Sequence, residues 1–293
     1  MVDVLQQVVQ GLGSGAIYAS LALALVLIYR FTHIVNFAQG EMAMFSTYLV
    51  WQLVSWGVPF WGALPLTLAV SFVGGMLIER LVIRPVEGGS ELSLVIVTVG
   101  LFILVNAAAG FVWTFTVKSF PDPFPTRSLD LGGVQLSLQT LGVLAVVAAV
   151  MGLLYVLFTH TRLGLAMRAV ADNPGSARLV GIRTGRVLML GWGLAATVGA
   201  VSGILVAPLL FLEPNMMGGV LIYAFAAASL GGFDSPGGAI VGGLLVGVLE
   251  TLAGAYVDVI GSDLKIAVPL VIIFGVLLVR PQGLFGRAAV ARV

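Results

Sequence analysis

The feature that most constrains this chain is a series of apolar runs, each about 20 residues long and nearly free of charged side chains. A helix needs about 20 apolar residues to cross roughly 30 Å of hydrocarbon, because each residue adds about 1.5 Å. Hydrophobic residues make up 59% of the chain and charged residues 9%; a soluble domain carries about 25% charged residues. The runs lack the alternating pattern of barrel strands. The sequence therefore predicts an all-α membrane protein, a polytopic bundle of transmembrane helices.

Nine runs are candidate spans, and the count becomes eight if the short run at residues 220–230 is re-entrant. No loop is long enough for a soluble domain, so residues 1–293 are expected to form one membrane domain. The first ten residues lack the basic segment of a signal peptide, so the first run is expected to be a retained span. The runs cover residues 11–29, 40–56, 60–78, 92–113, 138–158, 187–212, 220–230, 237–257 and 266–279.

Lysine and arginine divide unevenly between the two sides of a nine-span topology. Eleven of the 14 fall on one side, and only Lys118, Arg127 and Lys265 fall on the other. Because cytoplasmic loops are enriched in these residues, we expect a cell (inner or plasma) membrane protein with its N-terminus outside and its C-terminus in the cytoplasm. The basic residues follow topology, so no nucleic-acid partner is expected. The proline-rich segment 114–139 is then extracytoplasmic, either a docking surface for an external partner or a stiff connector.

Residues 160–186, called the arginine segment below, carry five arginines in a chain that otherwise avoids charge. Topology explains this charge but not a second pattern within it. Asn173 is a good N-cap, Pro174 suits the first helical position and Gly181 suits the C′ position. These residues predict a short helix over residues 174–180. Two turns are marginal in water alone, so we expect it to pack against its own segment or in a partner's groove.

Polar side chains cluster after the first run, at His33, Asn36, Gln39 and Glu41. On a helix, Asn36 would share a face with His33, three residues earlier. An interfacial turn with solvated side chains fits His33 well. It fits Gln39 and Glu41 poorly, because apolar sequence resumes at once. We therefore interpret Asn36, Gln39 and Glu41 as candidates for a polar translocation path.

Two further polar residues are candidates for this path. Glu250 shares a helical face with Gly243 and Gly247, part of a small-residue stripe that lets helices approach closely. An embedded carboxyl group costs about 2.5–3.5 kcal/mol unless it is neutral or paired, so Glu250 is either a path or gating residue or a protonated residue bonded to a neighbouring helix. Asn106 lies on the fourth run in a period-four pattern, which more often indicates helix packing.

The short run at residues 220–230 has a glycine pair on each side. As a helix it would be only about 16 Å long, too short to cross the membrane alone. Glycine-interrupted helices at membrane depth usually line a cavity, so the pattern favours a short broken or re-entrant helix near the path.

Four longer segments carry a recognisable pattern: GLGSGAIYASLALALVLIYR, IVNFAQGEMAM, TRLGLAMRAVADNPGSARLVGI, and AAASLGGFDSPGGAIVGG followed by RPQGLFGR. They extend over nearly the whole chain and resemble the permease subunits of branched-chain amino-acid ABC importers. At Gln39, many members of that family have histidine. The resemblance implies an ABC importer permease fold and a solute that is a hydrophobic, branched-chain amino acid. Urea and short-amide permeases are closely similar and stay as alternatives.

The resemblance also implies a set of partners. They are a second permease subunit (a homologue or the chain itself), two ABC ATPase subunits and an extracytoplasmic substrate-binding protein. The helix near Pro174 would then be the coupling helix that contacts the ATPase. The ATPase-coupling residues implied in the arginine segment are Gly164, Arg168, Asp172, Asn173, Pro174, Arg178 and Gly181.

The sequence excludes a phosphate loop, because neither lysine, Lys118 nor Lys265, follows a glycine. Energy must therefore come from a partner or from an ion gradient. Glu250 is the one well-embedded acid, so an ion-coupled secondary carrier remains an alternative within transport. With His33 and His160 in different loops and no cysteine, no metal site, cofactor or catalytic constellation is expected. The chain is expected to be a transport subunit and not an enzyme.

Overall fold

The computed structural model describes residues 2–125, 127–131, 133–261 and 264–286. Two arginines counted on the basic side, Arg287 and Arg292, lie outside this range. The helices are α1 (Val2–Thr32), α2 (Gln39–Ser55), α3 (Phe60–Ile78), α4 (Glu91–Trp113), α5 (Leu138–His160), α6 (Arg162–Asp172), α7 (Pro174–Leu179), α8 (Thr184–Leu210), α9 (Met217–Gly231), α10 (Pro236–Tyr256) and α11 (Ala267–Val279).

Each apolar run of the sequence coincides with one of these helices, which confirms a polytopic helical membrane protein. Within the described residues, six helices are long and apolar enough to cross a membrane: α1, α3 with its extension to Val86, α4, α5, α8 and α10. The helices α2, α9 and α11 are shorter, with 17, 15 and 13 residues. The total of eight or nine spans therefore stays a prediction.

A β-hairpin interrupts the otherwise helical chain, a short element that the sequence analysis did not predict. The strands β1 (Ser128–Leu131) and β2 (Val134–Ser137) pair antiparallel, with Leu131 opposite Val134. The sequence accounts for this pairing, because two glycines between two short stretches of alternating apolar and polar residues are a hairpin signal. Part of the predicted proline-rich loop is thus ordered by backbone pairing, and the side chain of Gln6 on α1 bonds the Gln135 backbone at 2.7 and 3.0 Å.

The chain forms two compact units, each assembled from separate stretches of sequence. The first consists of Met1–Val26, Asp122–Ala145 and Gly218–Val293, and the second consists of Leu27–Pro121 and Val146–Met217.

In the first unit, the predicted glycine stripe of α10 is a helix contact. A Cβ atom added to Gly243 would overlap the backbone of Ala19 on α1, and one added to Gly247 would overlap that of Gly15. Without a hydrophobic driving force in lipid, such close approach supplies van der Waals packing. The side chain of Ser235 caps α10 by accepting from the amide of Gly238 at 3.0 Å.

In the second unit, α8 packs on α2 and α3, and α2 also packs on α4. The close approach of α3 and α8 depends on Gly75, where a Cβ atom would lie 2.6 Å from the Trp192 carbonyl oxygen. The long helix α8 therefore packs closely against both α2 and α3.

The end of α3 widens into a π-helical turn, Glu79–Ile83, followed by a 3₁₀ turn, Arg84–Val86. Residues five apart are not neighbours on an α-helix, but the wider π turn brings Glu79 beside Arg84. The Arg84 guanidinium donates to both Glu79 carboxylate oxygens, at 3.1 and 2.8 Å, and to the Gly185 carbonyl oxygen at 2.5 Å. Arg84 thus serves as the counter-ion of the buried Glu79 and links it to the start of α8.

The prediction that His33 and Asn36 share a helical face is wrong, because α1 ends at Thr32. The Thr32 hydroxyl donates back to the Ile28 carbonyl oxygen at 3.0 Å, and His33 has a positive φ of 54°. Such a backbone conformation stops a helix. His33 is exposed, as expected, whereas Asn36 is buried in the connection that follows.

Candidate functional site

Asn36 and Gln39 are completely buried and form one hydrogen-bonded pair. The Asn36 amide donates to Gln39 Oε1 at 3.2 Å, and Asn36 Oδ1 accepts from the backbone amide of Ala38 at 3.1 Å. The Gln39 amide donates to the Ala195 carbonyl oxygen of α8 at 3.0 Å. These bonds tie the connection between α1 and α2 to α8, and protein atoms use much of the bonding capacity of both side chains.

Glu41 and Asn106 come together although they are far apart in sequence. Glu41 lies on the first turn of α2 with 1% of its surface exposed. Asn106 Nδ2 donates to Glu41 Oε2 at 3.2 Å, to the Pro214 carbonyl oxygen at 3.1 Å and to Asn215 Oδ1 at 3.2 Å. Two of the sequence candidates therefore share one polar cluster, to which Pro214 and Asn215 also belong. We call these four residues the Glu41 cluster.

Pro214 and Asn215 belong to a non-helical stretch, residues 211–216, between α8 and α9. Phe211 ends α8 with a positive φ of 62°, and Leu212 exchanges two backbone hydrogen bonds of 2.9 Å with Lys118. The sequence predicted a short broken or re-entrant helix over residues 220–230. The structure has the 15-residue helix α9 there, and the non-helical backbone lies before it. The missed signal was the triplet Glu213-Pro214-Asn215, polar and helix-breaking between two apolar helices.

Glu250 lies in the other compact unit, where the hydroxyl of Tyr18 donates to its Oε2 at 2.9 Å. The ring of Tyr18 stacks on that of Tyr223 with centroids 4.5 Å apart and planes inclined by 6°. Glu250 is therefore bonded to a neighbouring helix, one of its two predicted situations. The sequence reasoning missed both tyrosines, although a tyrosine hydroxyl within an apolar span requires a partner.

The arginine segment contains one more helix than predicted. Besides the short helix, residues 162–172 form α6, capped by Thr161, whose hydroxyl accepts from the Gly164 amide at 3.0 Å. The buried Met167 and Val170 lie on one face of α6, a spacing that could have revealed this helix. Gly164 is buried, and a Cβ atom there would overlap the backbone of Phe158 at the end of α5. Gly164 therefore belongs to the packed junction of α5 and α6.

The short helix α7 follows the predicted capping pattern. Asn173 Oδ1 accepts from the Ser176 amide at 2.9 Å, Pro174 is the first helical residue and Gly181 has a φ of 84°. The helix ends at Leu179, one residue earlier than expected. Arg178 donates to the Thr184 hydroxyl at 3.0 Å, which joins α7 to the start of α8.

The packing of α7 within its own segment leaves an apolar tip exposed. Ala177 is buried in a cluster with residues of α6, α8 and the last turn of α1. Beyond it, Leu179 and Val180 are 89% and 76% exposed. Arg168 and Asp172 also lie on the exposed surface of the segment. Among the residues that the structure describes, no group of three or more His, Cys, Asp or Glu gathers to hold a metal ion.

Long apolar helices, buried polar side chains within them and a basic helical segment with an exposed apolar tip together define a polytopic membrane permease. The chain belongs to the family described as branched-chain amino acid transport system / permease component, whose pattern matches residues 7–279. Its relatives are transport permease subunits, so the chain is a permease subunit and not an enzyme.

Individual relatives match along nearly the whole length. The chain is 31% identical to the high-affinity branched-chain amino acid transport system permease protein BraD of Pseudomonas aeruginosa, covering 99% of this chain and 98% of the relative. It is 30% identical to LivH of Escherichia coli K12, covering 99% and 97%. The fold is similar to a chain of PsaBC from Streptococcus pneumoniae in complex with Fab, with a TM-score of 0.50, 12% identity, and coverage of 93% and 91%.

Proposed function

We propose that this chain is the membrane-spanning permease of an ATP-driven importer for branched-chain amino acids. In this role it works with a second permease subunit, a homologue or a second copy, with two ABC ATPase subunits and with an extracytoplasmic substrate-binding protein. The names of the relatives support the solute class. They do not favour the alternatives, a urea or short-amide permease or an ion-coupled carrier.

The observation that carries the coupling part of the proposal is the exposed tip of α7. Leu179 and Val180 present apolar surface to water at the end of a capped helix surrounded by arginines. Exposed apolar residues with a charged rim are typical of a protein interface. Because the chain has no phosphate loop, this tip is where an ATPase subunit would dock, with Arg168, Asp172 and Arg178 around it.

A continuous set of contacts supports transmission from α7 towards the polar residues of the second unit. The helix α7 packs on α6 and α8, and α8 packs on α2. The bond from Gln39 to the Ala195 carbonyl oxygen links α8 directly to the first turn of α2, two residues before Glu41. A rigid-body shift of α7 would therefore move α8 and α2 together. We propose Asn36, Gln39, Glu41, Asn106 and Glu250 as residues of the translocation path.

The distribution of basic residues supports an orientation with the arginine segment in the cytoplasm. The N-terminus then lies outside and the C-terminus inside, which fits an odd number of spans, nine, in the cell membrane. The hairpin of β1 and β2 lies on the outer side, where an external binding protein would approach. A single permease domain over residues 1–293, with coupling through residues 160–186, is the arrangement that this proposal requires.

The test is purification of the full-length chain in mild detergent with identification of the subunits that accompany it, followed by ATP-driven leucine uptake in proteoliposomes. Leu179→Glu should abolish ATPase binding and uptake, because a buried charge at an apolar interface is costly. Val259→Glu, at a position 81% exposed after α10, is the matched control and should retain both.

Arg168→Ala should lower the coupling of ATP hydrolysis to uptake, and Gly164→Ala should do the same by displacing α6. The proposal fails if no ATPase co-purifies and transport instead follows a proton or sodium gradient, or if Leu179→Glu transports like the unmodified protein.

A further inference from the structure

Three oxygen atoms converge on one nitrogen in the Glu41 cluster. Glu41 Oε2, the Pro214 carbonyl oxygen and Asn215 Oδ1 all lie 3.1–3.2 Å from Asn106 Nδ2. An amide NH₂ group has two N–H donors, so it cannot satisfy three acceptors at once. A primary ammonium group has three N–H donors and would satisfy all of them. The acceptor arrangement fits an ammonium group better than the amide that occupies it.

The charge of the cluster points the same way. Glu41 is almost fully buried, and no arginine, lysine or histidine among the described residues forms an ion pair with it. The other buried acid of this unit, Glu79, has Arg84 as its counter-ion at 2.8 Å. A buried carboxylate without a cation is costly in a membrane protein and usually marks a pathway for a solute or an ion.

The backbone around the cluster is suited to binding a cation. Pro214 lies in the non-helical stretch between α8 and α9, so its carbonyl oxygen is not used in a helical ladder. Unwound backbone between two helices supplies carbonyl oxygens to cations at membrane depth. Asn215 is exposed and Asn106 is half-buried, so a solute can reach the cluster from the Asn215 side.

We propose that the oxygens of Glu41, Pro214 and Asn215 form a binding site for the primary ammonium group of the transported amino acid. The Asn106 amide occupies this site in the absence of solute and is displaced when the ammonium group enters. The inference rests on the proposed function, because it assigns a recognised chemical group to a solute of that class.

The experiment is equilibrium binding to the full-length chain in lipid nanodiscs, without ATPase or binding protein. The probes are radiolabelled 3-methylbutylamine, which keeps the ammonium group and the branched chain of leucine, and 4-methylpentanoate, which keeps the branched chain but lacks the ammonium group. The variants are Glu41→Gln, in which the amide oxygen can still accept from Asn106, and Asn106→Ala. Glu91→Gln, which changes an exposed acid in the first turn of α4, is the matched control.

Glu41→Gln should raise the Kd for 3-methylbutylamine by about tenfold or more, because a hydrogen bond to a charged group is lost. Asn106→Ala should bind as tightly as the unmodified chain or more tightly, because the competing amide is gone. Glu91→Gln should bind the amine with a Kd within about twofold of that of the unmodified chain, and 4-methylpentanoate should not displace the amine. If Asn106 instead contacted the bound amine, Asn106→Ala would weaken binding. That result would overturn the proposal that the Asn106 amide occupies the ammonium site and is displaced from it.

Reaction of Glu41 with a hydrophobic carbodiimide, followed by peptide mass spectrometry, provides a measurement that needs no variant. The amine should protect Glu41 and leave the labelling of the exposed Glu91 unchanged. Protection by sodium chloride but not by the amine would make the cluster an inorganic cation site. Absence of amine binding, or equal binding to Glu41→Gln, would refute the inference while ATP-driven leucine uptake, measured separately, could still succeed.

Discussion

The contact between α1 and α10 yields a prediction with a built-in control. Gly243 and Gly237 both lie on α10, but only Gly243 faces another backbone. A Cβ atom at Gly243 would lie 2.6 Å from Ala19 Cβ and closer still to the Ala19 backbone nitrogen and Cα, whereas one at Gly237 would meet nothing within 4 Å. We therefore compare Gly243→Ala with Gly237→Ala.

The size of the effect follows from the two geometries. Carbon atoms in contact prefer a separation of about 3.5–4.0 Å, so α1 and α10 would have to separate by about 1 Å near Ala19. Overpacking of this kind typically costs about 1–3 kcal/mol. The helix-propensity gain of alanine over glycine, about 1 kcal/mol, applies to both variants and largely cancels in their difference. Gly243→Ala should therefore be about 1–3 kcal/mol less stable than Gly237→Ala.

The measurement is the free energy of unfolding of the two full-length variants in the same mild detergent, by titration with dodecyl sulfate and helical circular dichroism. The unmodified chain gives the reference, and Gly237→Ala should be as stable or slightly more stable. Equal stability of the two alanine variants would refute the close approach of α1 and α10, and with it the interpretation of the glycine stripe as a helix contact.

Two further predictions concern single hydrogen bonds. Tyr18→Phe removes one hydrogen-bond donor from the buried Glu250, so the free energy of unfolding should fall by about 1–3 kcal/mol. Tyr256→Phe, at an exposed position of the same helix as Glu250, should have little effect, and similar values for the two variants would contradict the bond. Asn173→Ala removes the N-cap of α7, which costs about 1 kcal/mol locally. Faster hydrogen exchange at the Ser176 amide should report this fraying, and an unchanged rate would contradict the cap.

Structural features that depend on a few residues close together in the sequence were predictable. The limits of α7 follow from Asn173, Pro174 and Gly181, because a cap requires particular side chains at particular positions. The glycine stripe of α10 was predictable for the same reason, since its period repeats within one helix. In contrast, α6 was not predicted, although Met167 and Val170 carry the helical spacing of its buried face.

Features that depend on distant parts of the chain were not predictable. Glu41, Asn106 and Asn215 lie on α2, on α4 and between α8 and α9, and no local pattern relates them. The same holds for Tyr18 and Glu250. The error at His33 has a local cause, since the hydroxyl of Thr32 ends α1 where the apolar sequence suggests no break. Polarity within an apolar run therefore made Glu41 and Asn106 candidates in the sequence, but their hydrogen-bond partners became known only from the structure.

The pairing of α1 with α10 has a consequence for biogenesis. The ribosome makes α1 well before the α10 glycines that contact Gly15 and Ala19, because helices α2–α9 lie between them in the sequence. With a mean hydropathy of 2.0 over its most apolar window, α1 is apolar enough to enter the bilayer alone. Until α10 emerges, lipid tails must cover the small-residue groove of α1. The Tyr18 hydroxyl must meanwhile form a temporary hydrogen bond to another acceptor. A nascent chain stalled before α10 would be an inserted protein in which α1 still lacks the helix that packs against its small residues.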